Sequence, residues 1–173
     1  MTAAYASLPG PVGWITVFVE DGAVVALEWG RTEAEVPGLG LDAAVTELRR
    51  YLDGEPVSFG VPVRPAGGAF FQSVWRRLVA IPWGQTVSYG ALAAELASSP
   101  RAIARACAAN PIPIIIPCHR VVAASGGLGG YSGGDGIDTK AALLALEGVG
   151  LPLQRTQKKS KGRTLHGHGH PLP

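Results

Sequence analysis

Charge, sulfur and long apolar runs are what this sequence has little of. Only 16% of its 173 residues are Asp, Glu, Lys or Arg, and it carries one methionine and two cysteines. No stretch approaches the roughly 18 uninterrupted apolar residues of a membrane-spanning helix. Met1 to Gly10 also lacks the basic-then-apolar order of a signal peptide, so a cytoplasmic protein with no membrane partner is expected. Two cysteines are too few for a disulfide scaffold. Cys107 falls in a helical pattern and Cys118 stands beside a histidine, so both are expected as free thiols.

What is present is apolar bulk and punctuation: 47% hydrophobic residues with 24 glycines and 14 prolines. That is enough to bury a core and too apolar for a disordered chain. Charge is unevenly placed. Residues 1–65 hold four Arg against nine Asp/Glu, a net of −5, whereas residues 66–173 hold eleven Lys/Arg against four acids, a net of +7. A basic second part suggests a polyanionic partner, while solubility alone would also account for it.

In the first part, Trp14 to Glu20 and Ala23 to Trp29 are β-rich runs joined by Asp21-Gly22, the signature of a two-residue hairpin. Leu41, Val45, Leu48 and Leu52 recur at helical spacing before Gly54, which can end a helix in the left-handed region. Prolines and glycines over residues 56–68 read as a linker with a boundary near 65. The expected organisation is an N-terminal α/β domain (1–65), a second domain (66–152) and a basic, His-containing disordered tail (153–173). For His166, His168 and His170 a solvated end is favoured over metal binding.

In the second part, Phe70, Phe71, Val74, Trp75, Leu78 and Val79 mark one helical face, closed by Ile81-Pro82. Thr86-Val87 is a short extended piece. Ser88 suits the N-cap of a helix over Tyr89–Leu96, and Ser99-Pro100 opens another running to Ala109. Two short helices across a tight turn make a helix-turn-helix candidate. In the second helix Arg101 and Arg105 share a face among alanines, a pattern that equally fits a packed helix with two solvated arginines. Ile114 to Ile116, flanked by prolines, reads as a buried strand. Ala123 to Gly136 is a glycine-rich loop, and Asp138 is the expected cap of a last helix ending at Glu147-Gly148.

The chemistry centres on Asn110 to Val122, a stiff apolar run that delivers Cys118 followed by His119 and Arg120. Three isoleucines upstream argue for a buried, inert thiol, since apolar surroundings raise a thiol pKa. A reactive thiol needs a base, and the base an oriented acceptor. His119 is the nearest base. Neighbours along an extended chain point to opposite faces, so it would have to act through a turn or a bridging water. The acceptor candidates are Glu95, Asp135, Asp138 and Glu147. From these residues alone a structural cysteine and a nucleophile both stay open.

Pro117-Cys118-His119-Arg120-Val121, preceded by Asn110-Pro111 and followed by Tyr131-Ser132-Gly133-Gly134 and Leu143-Leu144-Ala145-Leu146-Glu147-Gly148, resembles the alkylguanine-DNA alkyltransferases, the methylated-DNA protein-cysteine methyltransferase family. The resemblance covers residues 70–150 with every motif in order; residues 1–65 share only a hairpin-like character. It implies an α+β fold, in which a small N-terminal β-hairpin or sheet plus helix domain of ribonuclease H-like type precedes a helical winged helix-turn-helix domain carrying the DNA-binding surface and the active site. The activity it implies is stoichiometric DNA repair, with an alkyl group moving from O6-alkylguanine, and O4-alkylthymine as a further candidate, to a protein cysteine after base flipping. A monomer on double-stranded DNA, with no cofactor and no metal, is expected.

By this resemblance Cys118 is the acceptor, His119 the base acting through a water, and Glu147 the carboxylate that orients it. Asn110 ties the helix-turn-helix to the active-site segment. Tyr89 assists flipping and hydrogen-bonds the base, and Arg101 fills the space the base vacates, with Ala102, Arg105 and Arg120 completing the DNA-binding set. The backbone of Cys118 and Val121 reads the exocyclic amine, Ser132 lies against O6, and Tyr131 belongs to the substrate site. The allocation is physically coherent, because a base inside a duplex hides its O6 and extruding it costs about a few kcal/mol. A donor on the departing guanine also stabilises charge that develops only in the transition state.

Departures from the family pattern are Ala104 where glycine is common, Ala141-Ala142 where a tryptophan often follows the lysine, a slightly longer stretch between Gly134 and Lys140, and the absence of zinc-ligating cysteines and histidines in the first part. A non-catalytic lesion binder and a cysteine hydrolase are the alternative classes. The presence of Cys118 with His119 and Glu147 disfavours the first, and turnover of a peptide or ester would identify the second.

Overall fold

The computed structural model describes residues 3–150. It is a mixed α and β fold whose first part is a three-stranded antiparallel sheet, β1 (Ala4–Leu8), β2 (Ile15–Glu20) and β3 (Ala23–Trp29), in the order β1-β2-β3. The β2–β3 turn is made by Asp21 and Gly22, both at positive φ (49° and 80°), the twist that suits a tight hairpin. Alternation is clean on β1, where Ala4, Ala6 and Leu8 face inward; on β2 Ile15, Val17 and Val19 are buried and Thr16 is buried with them. Helix α1 (Leu41–Leu52) lies against β1 and β2 and buries Leu41, Ala44, Leu48, Tyr51 and Leu52 at three- and four-residue spacing. Each fully buried large side chain of this kind stabilises the fold by about 1.5–3 kcal/mol.

The outer edge of β3 is covered by the chain itself. Val24 N donates to Pro62 O and Arg64 N to Val24 O, both at 2.8 Å, and Leu27 N donates to Pro111 O at 2.9 Å. The last of these bonds fastens the segment leading to Cys118 directly onto the sheet, and together they leave less of the edge open to another strand. Helix α2 (Ala69–Val79) follows, then β4 (Val87–Ser88), α3 (Tyr89–Glu95), α4 (Pro100–Ala108), a 3-10 turn at Cys118–Arg120, β5 (Val121–Val122) and α5 (Ile137–Leu146). β4 and β5 pair in parallel and bring the start of α3 beside the chain leaving Arg120. Ser88 Oγ and Ser99 Oγ accept from Ala91 N and Ala102 N (3.0 and 3.2 Å), so both expected serine caps are present. Trp75 Nε1 donates to Ala106 O at 2.8 Å and locks α2 onto α4.

Several expectations need correction. The hairpin belongs to a three-stranded sheet, because Ala4–Leu8 adds a strand whose alanines and serine gave a weak β signal. Ile114 to Ile116 form a turn rather than a strand: Ile114 has φ 73°, and Ile116 N folds back to Ile112 O at 2.9 Å. Pro111, Pro113 and Pro117 supply no N–H for a ladder, so the run curls while its isoleucines stay buried. Helix α5 starts from Gly136 at φ 66°, leaving Asp138 in its first turn and not at the cap. On α2, Val74, Trp75 and Leu78 are buried but Phe70 and Val79 are 39% and 51% exposed, so the apolar face is narrower than its sequence pattern. The expected disorder of 153–173 lies outside the described residues. Among the described residues no helix is long and apolar enough to cross a membrane.

Candidate active site

Cys118 sits at the start of the 3-10 turn, its N–H donating to Ile116 O at 2.8 Å. The turn resolves the difficulty of adjacent side chains on opposite faces, since Cys118, His119 and Arg120 curl into one buried knot. Asn110 braces the approach from both ends: its side-chain N–H donates to Ile116 O at 2.8 Å and its Oδ1 accepts from Ile112 N at 2.9 Å. These two bonds hold Ile114 in a left-handed conformation that a β-branched residue adopts at a cost of about 1–2 kcal/mol.

Behind the cysteine, Glu147 at the end of α5 gathers three partners. His119 Nε2 contacts Glu147 Oε2, Arg120 Nε donates to Oε1 at 2.6 Å, and the Tyr51 hydroxyl donates to Oε2 at 2.6 Å. Arg120 also donates through Nη1 to Ile81 O at 2.6 Å. Burial alone would raise the Glu147 carboxyl, but the His119 contact, the Arg120 guanidinium and the Tyr51 hydroxyl hold it down at about 2. Burial pushes His119 down despite the adjacent carboxylate, so the resting imidazole is neutral. An ionised Glu147 accepts only, hence Nε2 carries the hydrogen and Nδ1 is the free lone pair. His119 Nδ1 is buried and has no hydrogen-bond partner among the described residues.

In front of the cysteine the chain is more open. A cavity of about 400 Å³ is lined by Tyr89, Ala104, Cys107, Ala108, Cys118, Gly130, Tyr131 and Ser132. A second cavity, of about 480 Å³, shares Cys107, Cys118, Tyr131 and Ser132 with it and reaches Trp29 on β3. Lys140 has no exposed surface, and its Nζ donates to Val121 O (2.6 Å), Gly130 O (3.2 Å) and the Tyr89 hydroxyl (3.3 Å). It thereby joins β5, the glycine-rich loop and α3. Gly129 is required there: its φ is +71° and a Cβ would stand 2.8 Å from the Tyr89 ring.

Burial pushes the Cys118 thiol up, while the Asn110 amide, the Lys140 ammonium and the Tyr131 hydroxyl favour its thiolate. Cys107, also a free thiol, is likewise pushed up by burial, to about 12. Burial likewise lifts the Tyr89 hydroxyl to about 12, so it stays a proton donor at neutral pH.

The structure brings Cys118, His119, Glu147 and Asn110 together on one side and Tyr89, Tyr131 and Ser132 with Cys118 around one cavity. Val121 presents its carbonyl to Lys140. Arg101 and Arg105 are exposed on α4, with Ala102 half-buried between them. Arg120 is the exception. Its side chain is buried and committed to Glu147 and Ile81 O, so it presents no surface to DNA. Sequence reasoning missed Tyr51 and Lys140. The signals were a phenol in the buried stripe of α1 and a lone lysine in the apolar sequence of α5, each a polar group that burial obliges to find a partner.

Comparison with known proteins agrees with this geometry. The family described as 6-O-methylguanine DNA methyltransferase, DNA binding domain, matches residues 69–149. A methylated-DNA--protein-cysteine methyltransferase of Saccharolobus islandicus is 38% identical over 152 residues, spanning 86% of this chain and 97% of the relative. Its counterpart in Mycolicibacterium paratuberculosis is also 38% identical, over 83% of this chain and 91% of that protein. The crystal structure of Mycobacterium tuberculosis OGT in complex with DNA superposes with a TM-score of 0.73 at 38% identity, covering 83% of this chain and 92% of that one. With this identity over nearly the full length of its relatives, the chain belongs to the methylated-DNA–protein-cysteine methyltransferase family.

Proposed function

We propose that Cys118 accepts the alkyl group of O6-alkylguanine in duplex DNA, with His119 as its base and Glu147 as the residue that orients the base. DNA repair by alkyl transfer to a protein cysteine is the activity of the family; the proposal assigns its steps to this chain's residues. The observation that carries it is the geometry of His119: held through Nε2 by Glu147, with Nδ1 unpartnered among the described residues, one residue from a cysteine that lines a cavity.

The reaction is an in-line displacement. Nδ1 of His119 takes the Cys118 proton through a water, the sulfur forms a bond to the alkyl carbon, and the carbon–O6 bond breaks with its electron pair left on the guanine. The guanine anion takes up a proton from solvent as the His119 imidazolium returns one to it, so the protein keeps a thioether and the DNA an unmodified base; each molecule acts once and needs no cofactor. The Tyr89 hydroxyl donates to the base as negative charge appears on it, Ser132 lies against O6 with Tyr131 beside it, and the Cys118 and Val121 backbone reads the exocyclic amine.

DNA is held by α3 and α4, docked as the helices of a winged helix-turn-helix, with Arg101 entering the space left by the flipped base and Arg105 and Ala102 on the same helix. A ribonuclease H-like first part, a boundary near residue 65 and a monomer complete the proposal. What supports the docking is the exposed Arg101, Ala104, Arg105, Ala108 face of α4, whose small side chains let a backbone come close and whose alanines wall the cavity.

The test is to incubate the protein with duplex DNA carrying O6-methylguanine and map the peptides by mass. One methyl group on the peptide containing Cys118, equimolar with lesion lost, is expected. Lesion loss with no adduct, or an adduct on Cys107, would defeat the proposal.

A further inference from the structure

We infer that Tyr51 is a positioning residue for alkyl transfer, its hydroxyl setting the basicity of His119 through the carboxylate they share. The inference rests on the reading of Cys118 and His119 as acceptor and base, and gives the first part of the chain a share in the reaction. Tyr51 lies on α1, 96 positions before Glu147. It has no exposed surface. Its hydroxyl donates to Glu147 Oε2 at 2.6 Å and stands 3.4 Å from His119 Nε2. The two rings meet edge-on, centroids 6.5 Å apart at 71°. Phe59 (5.8 Å) and Trp83 (5.3 Å) hold the phenol from its other sides.

A buried tyrosine needs an acceptor for its hydroxyl, and any carbonyl would serve. This one uses the carboxylate oxygen that His119 also uses. Two donors on one oxygen compete: charge that Tyr51 draws from Oε2 is not available to stabilise an imidazolium. Other charged groups facing His119 are Arg120 in its own turn and Lys140 on α5, both cations that disfavour a second positive charge. Tyr51 burial and the Glu147 charge push its own ionisation far above the usual range, so it remains a neutral donor wherever the protein is folded. The phenol therefore restrains Glu147 from making His119 too basic to stay neutral, and fixes the rotamer that aims Nδ1.

Removing the hydroxyl leaves more charge on Oε2, so His119 gains a proton at higher pH. Below that pH the base is blocked, and the acid limb of the transfer rate moves upward. For Tyr51→Phe the transfer rate at neutral pH should fall about tenfold, the lower end of the loss seen when the hydrogen-bond partner of a metal-bound histidine is removed. A difluorotyrosine at position 51 keeps the ring and strengthens the donor, so the limb should move downward; it reads the same quantity even if the Phe variant folds poorly.

The experiment measures single-turnover methyl transfer to Cys118 against pH for the three full-length proteins, with the His119 ring titration followed by NMR in each. Opposite displacements of limb and titration in the two variants are expected. If wild type forms no Cys118 adduct, the reading of the site itself fails. If wild type reacts while both variants keep its rate, its limb and its His119 titration, Tyr51 only packs and the inference is overturned.

Discussion

Behind Cys118, His119, Arg120, Glu147 and Tyr51 are buried and bonded to one another, whereas in front of it Ala104, Ala108 and Ser132 are exposed around a cavity of about 400 Å³. The closed side takes its residues from α1, the 3-10 turn and the end of α5; the open side from α3, α4 and the glycine-rich loop. The proposed reaction asks for proton transfer on the side closed to bulk solvent and for entry of a bulky base on the side where a cavity is present. One sulfur placed at the boundary meets both requirements. The difference teaches that burial of this cysteine is one-sided: apolar residues keep the thiol from ionising freely, and the lining of the cavity keeps it reachable.

The comparison breaks most severely if the closed side loses its anion. Glu147→Gln leaves the buried Arg120 guanidinium without its carboxylate, a change expected to cost about 3–5 kcal/mol of stability. It also frees His119, so transfer should slow by about a hundredfold or more. Denaturant midpoints and single-turnover rates check the two effects together.

Acid should open the same side gradually. His119 is held below its ordinary 6.5, so the unfolded chain takes up that proton first and stability falls as pH drops under 6.5. Glu147 is held below its ordinary 4.5, so its contribution is complete above 4.5 and is lost as pH falls towards about 2. Both shifts have the same sign, so stability should rise with pH through the Glu147 range from about 2 to 4.5 and rise again with His119 towards 6.5. Denaturation midpoints measured across that range test it; Glu147→Gln should flatten the lower part.

The open side should respond in binding and not in folding. Arg101→Ala is expected to weaken affinity for lesion-bearing duplex by about tenfold and to reduce the salt slope by about one, with the melting temperature unchanged. The smallest effect belongs to a pair on neither side. Arg77 and Glu95 bridge α2 and α3 at 2.6 Å but are partly exposed, so Arg77→Ala should change stability by less than about 1 kcal/mol and leave transfer untouched.

The two sides also differ in how far the sequence disclosed them. Local rules found the serine caps of α3 and α4 and the Asp21-Gly22 turn, because each depends on neighbours within a few residues. The Pro-Cys-His-Arg motif and Glu147 were legible as a family pattern. The partners of Glu147 were not: Tyr51 is 96 positions away, and helical spacing marks it as core without saying what its hydroxyl meets. Arg120, placed in the DNA-binding set by the family resemblance alone, is turned inward by packing to a carboxylate. Ile114 misled in another way, since β-branching favours a strand but three prolines and the Asn110 bracket dictate a turn.

The most direct measurement is the pH dependence of single-turnover methyl transfer from O6-methylguanine duplex to Cys118, in the wild type and in His119→Gln. A neutral imidazole acting as base predicts an acid limb in the wild type, its absence in the variant, and a variant rate lower by about a hundredfold or more. A His119→Gln protein that transfers methyl at the wild-type rate with the same pH profile would contradict the account.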